Sequence, residues 1–568
     1  MSSRAHGPSS AVRPTPGTTR VPAPGASSPL DPLRFADRGR RAAEKGRRFA
    51  LALALLVAVG VPATAPVPGA AQTPEPESPP LQADPQGISL GERLPVREME
   101  LDNGMRVLLL PRRGAPTVAF VMKFAVGGIH EHLGTTGVAH LLEHMLFKGT
   151  ESIGTTDVQA ERELFRRADA IHDRILSLRS AYPGAIPDSA RLELDRLRDS
   201  LTSVEDSART FVVSNEFDRI LTRAGARGLN ATTSNEATTY FVELPANRAE
   251  LFFILEGDRM RRPVFREFYT ERDVVMEERR MRVESNPAGA LYEAHLGAAF
   301  TMHPYGVPVV GYRSDLETLR RADIARYYRD FYGPNNAVLA VVGDFDPEQV
   351  EAWVRRDLEP IPRGLEPPAV HAVEPRQRGE RRVEVVWDAE PSVRIGWHVP
   401  AVTHSDAPAL AVLSAILTGG RTARLHRRLV TEERKASSIF SSMGPGELHP
   451  RLFQIEATPI HPTTTEELEA AVYEEIRRIA KEGPTEEEVE RVRNQIAASA
   501  IRRLRSNFGL ALQLADSETL LGDWRATFRA TDRLRNVTSR DVQRVAGAYF
   551  EARNRTVATL VPRRPEGS

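Results

Sequence analysis

"RADIARYYRDFYGPNNAVLAVVGD", residues 321–344, has a worn second copy further along the chain, "SRDVQRVAGAYFEARNRTVATLVP", residues 539–562. Asp323 aligns with Asp541 and Asn336 with Asn554, in both cases 218 positions apart. Each copy is preceded by a second matched segment. "PTVAFVMKF" from Pro116 aligns with "PSVRIGWHV" from Pro391, 275 positions apart. Two segments matched in the same order mark an internal duplication, hence two domains of one fold. The offsets differ by 275 − 218 = 57 residues, so the first copy contains an insertion of about that length. "RVLLLP", "TVAFVMKFAVGG" and "NNAVLAVVGDFD" read as strands, while "GVAHLLEHMLFKG" and "DPEQVEAWVRRDL" read as helices, the latter with an Asp cap. The Pro-rich "IPRGLEPPAVHAVEPRQRGE" (361–380) separates the two copies. The expected organisation is an N-terminal domain over 95–362, a linker over 363–380 and a C-terminal domain over 381–563.

The insertion is visible as a pattern. Leu164, Ala168, Ile171, Ile175 and Leu178 step by four and three, and after "AYPGAIPDSA" the pattern resumes at Leu194, Leu197, Leu201 and Val204. That is an antiparallel helical hairpin over about 158–213, inserted in the first domain. Its apolar stripe reads as the seam between its two helices.

Composition narrows the chemistry. The 568 residues carry 76 acidic and 76 basic side chains, a formal charge of zero that offers nothing to a nucleic acid. The apolar share of 41% supports sizeable cores. There is no cysteine, which removes disulfides, thiolate catalysis and thiolate zinc sites together. Any metal here must be held by His, Asp or Glu. At the N-terminus a basic segment leads into "FALALALLVAVGV", an uncharged run of 13 residues from Phe49. This is short for a bilayer span and matches the core of a signal peptide, with a small-residue cleavage site after Ala71. Residues 1–71 are therefore expected to be leader and signal peptide, and 72–94 a flexible tether. Export to the periplasm follows, without a membrane span after signal removal. A retained N-terminal anchor is the alternative.

"AHLLEHMLFKGT", residues 139–150, places His140, Glu143 and His144 within five positions. On a helix, His140 and His144 share a face. Two imidazoles so placed suit adjacent corners of a tetrahedral zinc site, and a nearby carboxylate can accept a proton from water. Most histidine pairs of this spacing lie on a solvated face. Here Leu141, Leu142, Met145, Leu146 and Phe147 indicate a buried helix, and buried imidazoles need partners. A third protein ligand is required. "YTERDVVMEERRMRVES" (269–285) supplies acidic candidates, among which Glu271 and Glu278 lie seven apart on nearly one face. Glu277 points elsewhere and reads as solvated. Spacing alone does not choose among these carboxylates. His130 and His132, in "GGIHEHLGTTG", read as loop histidines.

The H-x-x-E-H order is the inverzincin signature. With "GVAHLLEHMLFKGT", "GLNATTSNEATTYFVELP" and "ERDVVMEE" in that sequence, the chain from about 95 to 563 resembles the pitrilysin, insulinase and mitochondrial processing peptidase family. The resemblance implies one zinc ion, with Glu278 as the third ligand beside His140 and His144, Glu271 as a supporting carboxylate and Glu143 as the catalytic base. The span from His144 to Glu278 exceeds the family's usual span by about the length of the inserted hairpin. The implied fold is α+β: two homologous α/β sandwiches, each a mostly antiparallel sheet with helices on one side. The implied activity is hydrolysis of extended or unfolded peptides that pair with an edge strand, here Asn230, Ala231, Thr232 and Thr233. Active single-chain members of the family carry an Arg and a Tyr, seven apart, in the second domain. Aligned on "GGRTARLHRRLV", those positions fall on Thr431 and Ser438. The second-domain counterpart of the zinc helix, "ALAVLSAILTGG", also lacks ligands. The resemblance therefore implies the catalytic subunit of a heterodimer, whose related non-catalytic partner supplies the Arg/Tyr pair. The alternatives are a structural or assembly subunit and a peptide-holding subunit of the same family.

Overall fold

The structure, a computed structural model, describes residues 94–563. The leader and signal peptide expected over 1–71, and the tether up to residue 93, lie outside the described residues. Two sheets organise the rest. The first contains β1 (Arg97–Glu100), β2 (Arg106–Pro111), β3 (Thr117–Phe124), β4 (Arg227–Thr233), β5 (Thr238–Pro245) and β6 (Ala337–Gly343), in the order β1-β2-β6-β3-β5-β4. The second contains β7 (Arg381–Trp387), β8 (Ser392–Val399), β9 (Ala436–Gly444), β10 (Arg451–Pro459) and β11 (Arg555–Pro562), in the order β7-β11-β8-β10-β9. In each sheet a single pair is parallel, β2 with β6 and β7 with β11, and the other pairs are antiparallel. Dropping β1 makes the two orders superimposable.

The duplication is visible residue by residue. β3 and β8 are both eight residues long and start 392 − 117 = 275 positions apart; β6 and β11 start 555 − 337 = 218 apart. The matched side chains do the same work in both halves. The Asp323 carboxylate accepts from the Arg320 amide and that of Asp541 from the Thr538 amide, both at 3.0 Å, closing the start of a helix. The Asn336 amide group donates to the Phe331 carbonyl (2.9 Å) and that of Asn554 to the Tyr549 carbonyl (2.8 Å), closing its end.

The helices that matter for function lie on one face of the first sheet. α1 (Val138–Met145) carries the H-x-x-E-H segment. The inserted hairpin is α2 (Val158–Ala181) and α3 (Asp188–Arg209), and the acidic segment forms α4 (Phe268–Arg279). The Asp157 side chain caps α2 by accepting from the Gln159 and Ala160 amides at 3.0 Å. The hairpin's stripe is more than its own seam: Ala168, Ile175, Leu194, Leu201 and Val204 join the main core with Phe268 and Tyr269 of α4.

The opposite face of each sheet is covered by the other half of the chain. α5 (Pro287–Ala299) sets Leu291 against Ala558 and Leu560 of β11. α6 (Asn507–Leu521) sets Leu510, Ala511, Leu514 and Ala515 against Val338, Ala340 and Val342 of β6 and against Ala119 and Val121 of β3. The expectation of helices on one side holds within each half, and the second layer arrives from across the duplication. The cause is the apolar run of β6, all seven of whose residues are buried. Such a strand needs cover on both faces. Gly396 of β8 makes room for α5, because a Cβ there would lie 2.6 Å from the His295 ring.

Candidate metal centre

α1 starts at Gly137, whose φ of +86° is left-handed and which has no side chain to cap the helix. Glu131 does that work from six residues upstream. Its buried carboxylate accepts from the Gly137 and Ala139 amides, both at 2.8 Å. Asp315 fixes the loop between them, accepting from the Gly134 amide (2.8 Å) and the Thr136 hydroxyl (2.8 Å). The helix so anchored is buried along nearly its whole length, so His140 and Glu143 are enclosed.

α4 crosses α1 and brings its acidic face to the imidazoles. Glu278 Oε2 lies 3.6 Å from Nε2 of His140 and 3.6 Å from Nε2 of His144. One ligand atom from each of the three residues falls within 4.8 Å of the others, the sole such group of three found among the described residues. Glu278 Oε2 is buried and has no hydrogen-bond partner. An unpaired buried carboxylate oxygen facing two imidazole nitrogens is costly as it stands. A cation between them removes that cost, and a His/His/Glu donor set of this size suits zinc.

Charged neighbours hold two of the three donors, His144 and Glu278, while Nδ1 of His140 is buried without a hydrogen-bond partner. His144 Nδ1 lies 3.5 Å from Glu271, whose other oxygen is 2.5 Å from the Lys148 ammonium. Glu271 therefore leaves Nε2 of His144 free to face Glu278. The second oxygen of Glu278 is 2.5 Å from the Arg282 guanidinium. Burial, with His144 and Arg282 adding to it, holds His140 well below the usual imidazole range and keeps the ring neutral. Burial also works against a charge on His144, but the Glu271 hydrogen bond and the surrounding carboxylates outweigh it and favour positive charge there. Burial pushes Glu271 up, yet the His144 bond and Lys148 hold it below the usual carboxylate range. Glu143 is raised by its burial, against the pull of His144 and of a 2.5 Å hydrogen bond from the Thr233 hydroxyl.

The structure thus brings together His140, Glu143, His144, Glu271, Glu278 and Thr233. Thr233 ends β4, the edge strand of its sheet, whose other side has no paired strand among the described residues. Ala231 and Thr232 pair with Tyr240 and Thr239 of β5, and the Asn230 side chain accepts from the Ala231 amide at 2.9 Å. Glu277 is exposed and pairs with Arg280 at 2.6 Å. His130 Nδ1 accepts from the Gly127 amide at 3.3 Å and His132 is exposed, so neither joins the group. Thr431 is exposed ahead of β9, and Ser438 stands on β9 opposite Thr458. The sequence reading missed four contributors: Glu131, Lys148, Arg282 and the hydroxyl role of Thr233. Arg282 follows Glu278 by four positions, so helical spacing contained that signal; Lys148 lies beyond the end of α1 and reaches Glu271, which no local spacing shows.

Known proteins resemble this chain in sequence and in fold. A family model described as insulinase (peptidase family M16) matches residues 106–164, and one described as the peptidase M16 inactive domain matches residues 318–496. The chain is 26% identical over 479 residues to the zinc protease PqqE of Helicobacter pylori, covering 83% of this chain and 94% of that one. The crystal structure of a protease from Helicobacter pylori superposes with a TM-score of 0.68 at 25% identity, over 82% of this chain and 99% of that one. An M16-like peptidase from Alicyclobacillus acidocaldarius shares the fold, with a TM-score of 0.63 at 18% identity over 84% of this chain and 100% of that one.

Proposed function

Since the chain belongs to the M16 family of insulinase- and pitrilysin-like peptidases, we propose that it is a zinc-dependent metalloendopeptidase cutting extended or unfolded peptides. The observation that carries this reading is the convergence of His140, His144 and Glu278 on one point with an unpartnered buried oxygen, Glu143 lying beside them. A zinc ion held by those three residues would acidify water and polarise the scissile carbonyl. Glu143 accepts the water proton at its carboxylate and passes it to the leaving amine. Its burial raises its affinity for that proton, and the Thr233 hydroxyl aims it. Glu271 holds the His144 ring, and Lys148 holds Glu271. The open edge of β4 pairs with the main chain of the substrate, which selects for extended backbone over particular side chains.

The reading extends to assembly and location. With Thr431 and Ser438 where an Arg and a Tyr would stand, the chain acts as the catalytic subunit and a related subunit supplies the pair. The segment 49–71 directs it to the periplasm. Among the described residues no helix is long and apolar enough to cross a membrane.

The test uses the purified chain with zinc and an unfolded polypeptide. The expected result is stoichiometric zinc and weak cleavage that rises when a related Arg/Tyr-bearing subunit is added. Glu143→Gln keeps zinc and loses about a hundredfold to ten-thousandfold in turnover. Absence of zinc overturns the metal centre, full activity of the chain alone overturns the heterodimer, and zinc binding without cleavage in either setting leaves a peptide-holding subunit.

A further inference from the structure

We propose that the inserted hairpin of α2 and α3 is a positioning element of the metal centre, with Arg266 as the clasp that holds α1 and α4 relative to one another. Its consequence for zinc rests on the function proposed above; its structural content does not. Arg266 is 1% exposed and lies two residues before α4. Its guanidinium donates to the carbonyls of Thr150 (2.7 Å), Ile153 (3.0 Å) and Lys148, all in the loop that leaves α1. It also donates to both carboxylate oxygens of Glu161 (3.2 and 3.3 Å), in the first turn of α2 and wholly buried. One side chain thereby ties the exit of the two-histidine helix, the root of the insertion and the start of the helix bearing Glu278. The loop is shaped to receive it. Gly149 and Gly154 have φ of +93° and +90°, and a Cβ on either would come within 3.0 Å of the guanidinium.

The hairpin grips α4 at a second place. The Tyr269 hydroxyl donates to Asp169 of α2 at 2.9 Å, and the Arg272 guanidinium lies 3.2 Å from His172 Nε2. Tyr269 precedes Glu278 by nine residues, about two and a half helical turns, so it lies on the face turned away from the ligands. The insertion therefore holds α4 from behind while Glu278 meets the histidines in front. A planar fork with five donors fixes direction as well as distance, which an apolar contact or a lysine does not.

Amide hydrogen exchange of the metal-free full-length chain tests the clasp, using Arg266→Gln, Arg266→Lys and Tyr269→Phe. Arg174→Gln, on the outer face of α2 where it pairs with Glu193, is the control. Exchange in 138–146 and 268–279 is expected to rise about tenfold in both Arg266 variants and a few-fold in Tyr269→Phe, with β8, β10 and the control unchanged. In the zinc-loaded chain, retention against a chelator should fall about tenfold to a hundredfold, with kcat reduced and KM held. Unchanged exchange in α1 and α4, rescue by lysine, or an equal rise in β8 and β10 overturns the proposal. A wild-type chain that binds no zinc overturns the proposed function, and the exchange data still decide the clasp.

Discussion

Whether a buried carboxylate beside two imidazoles serves as a base depends on what else touches it. Glu143 is raised by burial and would lose its aim without Thr233, whose hydroxyl sits 2.5 Å away. Thr233→Val keeps the shape of the side chain and deletes that bond. A hydrogen bond to a charged group contributes roughly 1.5–3 kcal/mol, so kcat should fall about tenfold to a hundredfold with zinc content unchanged. An unaltered kcat with a raised KM would instead place Thr233 on the substrate main chain alone. At this scale the helical periods were informative: four residues separate His140 from His144, and seven separate Glu271 from Glu278. The partner of Glu143 was not legible, because Thr233 is 90 positions away and reaches it only through the return of β4 past α1.

Elements were readable wherever a period or a punctuating residue was strong. The two stripes and the Pro-Gly turn located α2 and α3; the matched Asp and Asn pairs marked the duplication, and their role in closing helix ends is seen only in the structure. Asp157 is the start signal of the hairpin, since its side chain accepts from two first-turn amides. Asp157→Ala should lower stability by about 1 kcal/mol, read from the urea midpoint at unchanged slope. No change would mean that the hairpin root is held by Arg266 and Glu161 without help from its cap. What the stripes did not reveal is the hairpin's target. An apolar stripe states that it must be covered, and Asp169 and His172 next to it acquire partners only once Tyr269 and Arg272 arrive about a hundred residues later.

Across the whole molecule, the halves are joined by α5 and α6, each lying on the sheet of the other half, and His295 of α5 is buried against Thr556 of β11. Burial, helped by Arg394, holds His295 down at about 3 against an ordinary 6.5. The folded protein keeps this ring neutral while the unfolded chain takes a proton below pH 6.5. Its contribution is therefore complete above that pH and is lost as pH falls toward 3, at about 1.4 kcal/mol per pH unit. His295→Gln should lose about 2 kcal/mol less than wild type between pH 7 and pH 5, by urea unfolding at each pH. Identical losses would place the acid sensitivity elsewhere. The sequence by itself determined the duplication, the sheet-forming segments, the inserted hairpin and the two-histidine helix, because periods, punctuation and internal matches are local properties of the chain. Only the tertiary structure decided that each half completes the other's sheet, that Glu278 faces Nε2 of both histidines, and that Arg266 bonds to the loop leaving α1 and to Glu161 of α2. Those outcomes depend on which buried charges and apolar faces meet across long stretches of chain, and a local pattern shows that a face is covered without showing by what.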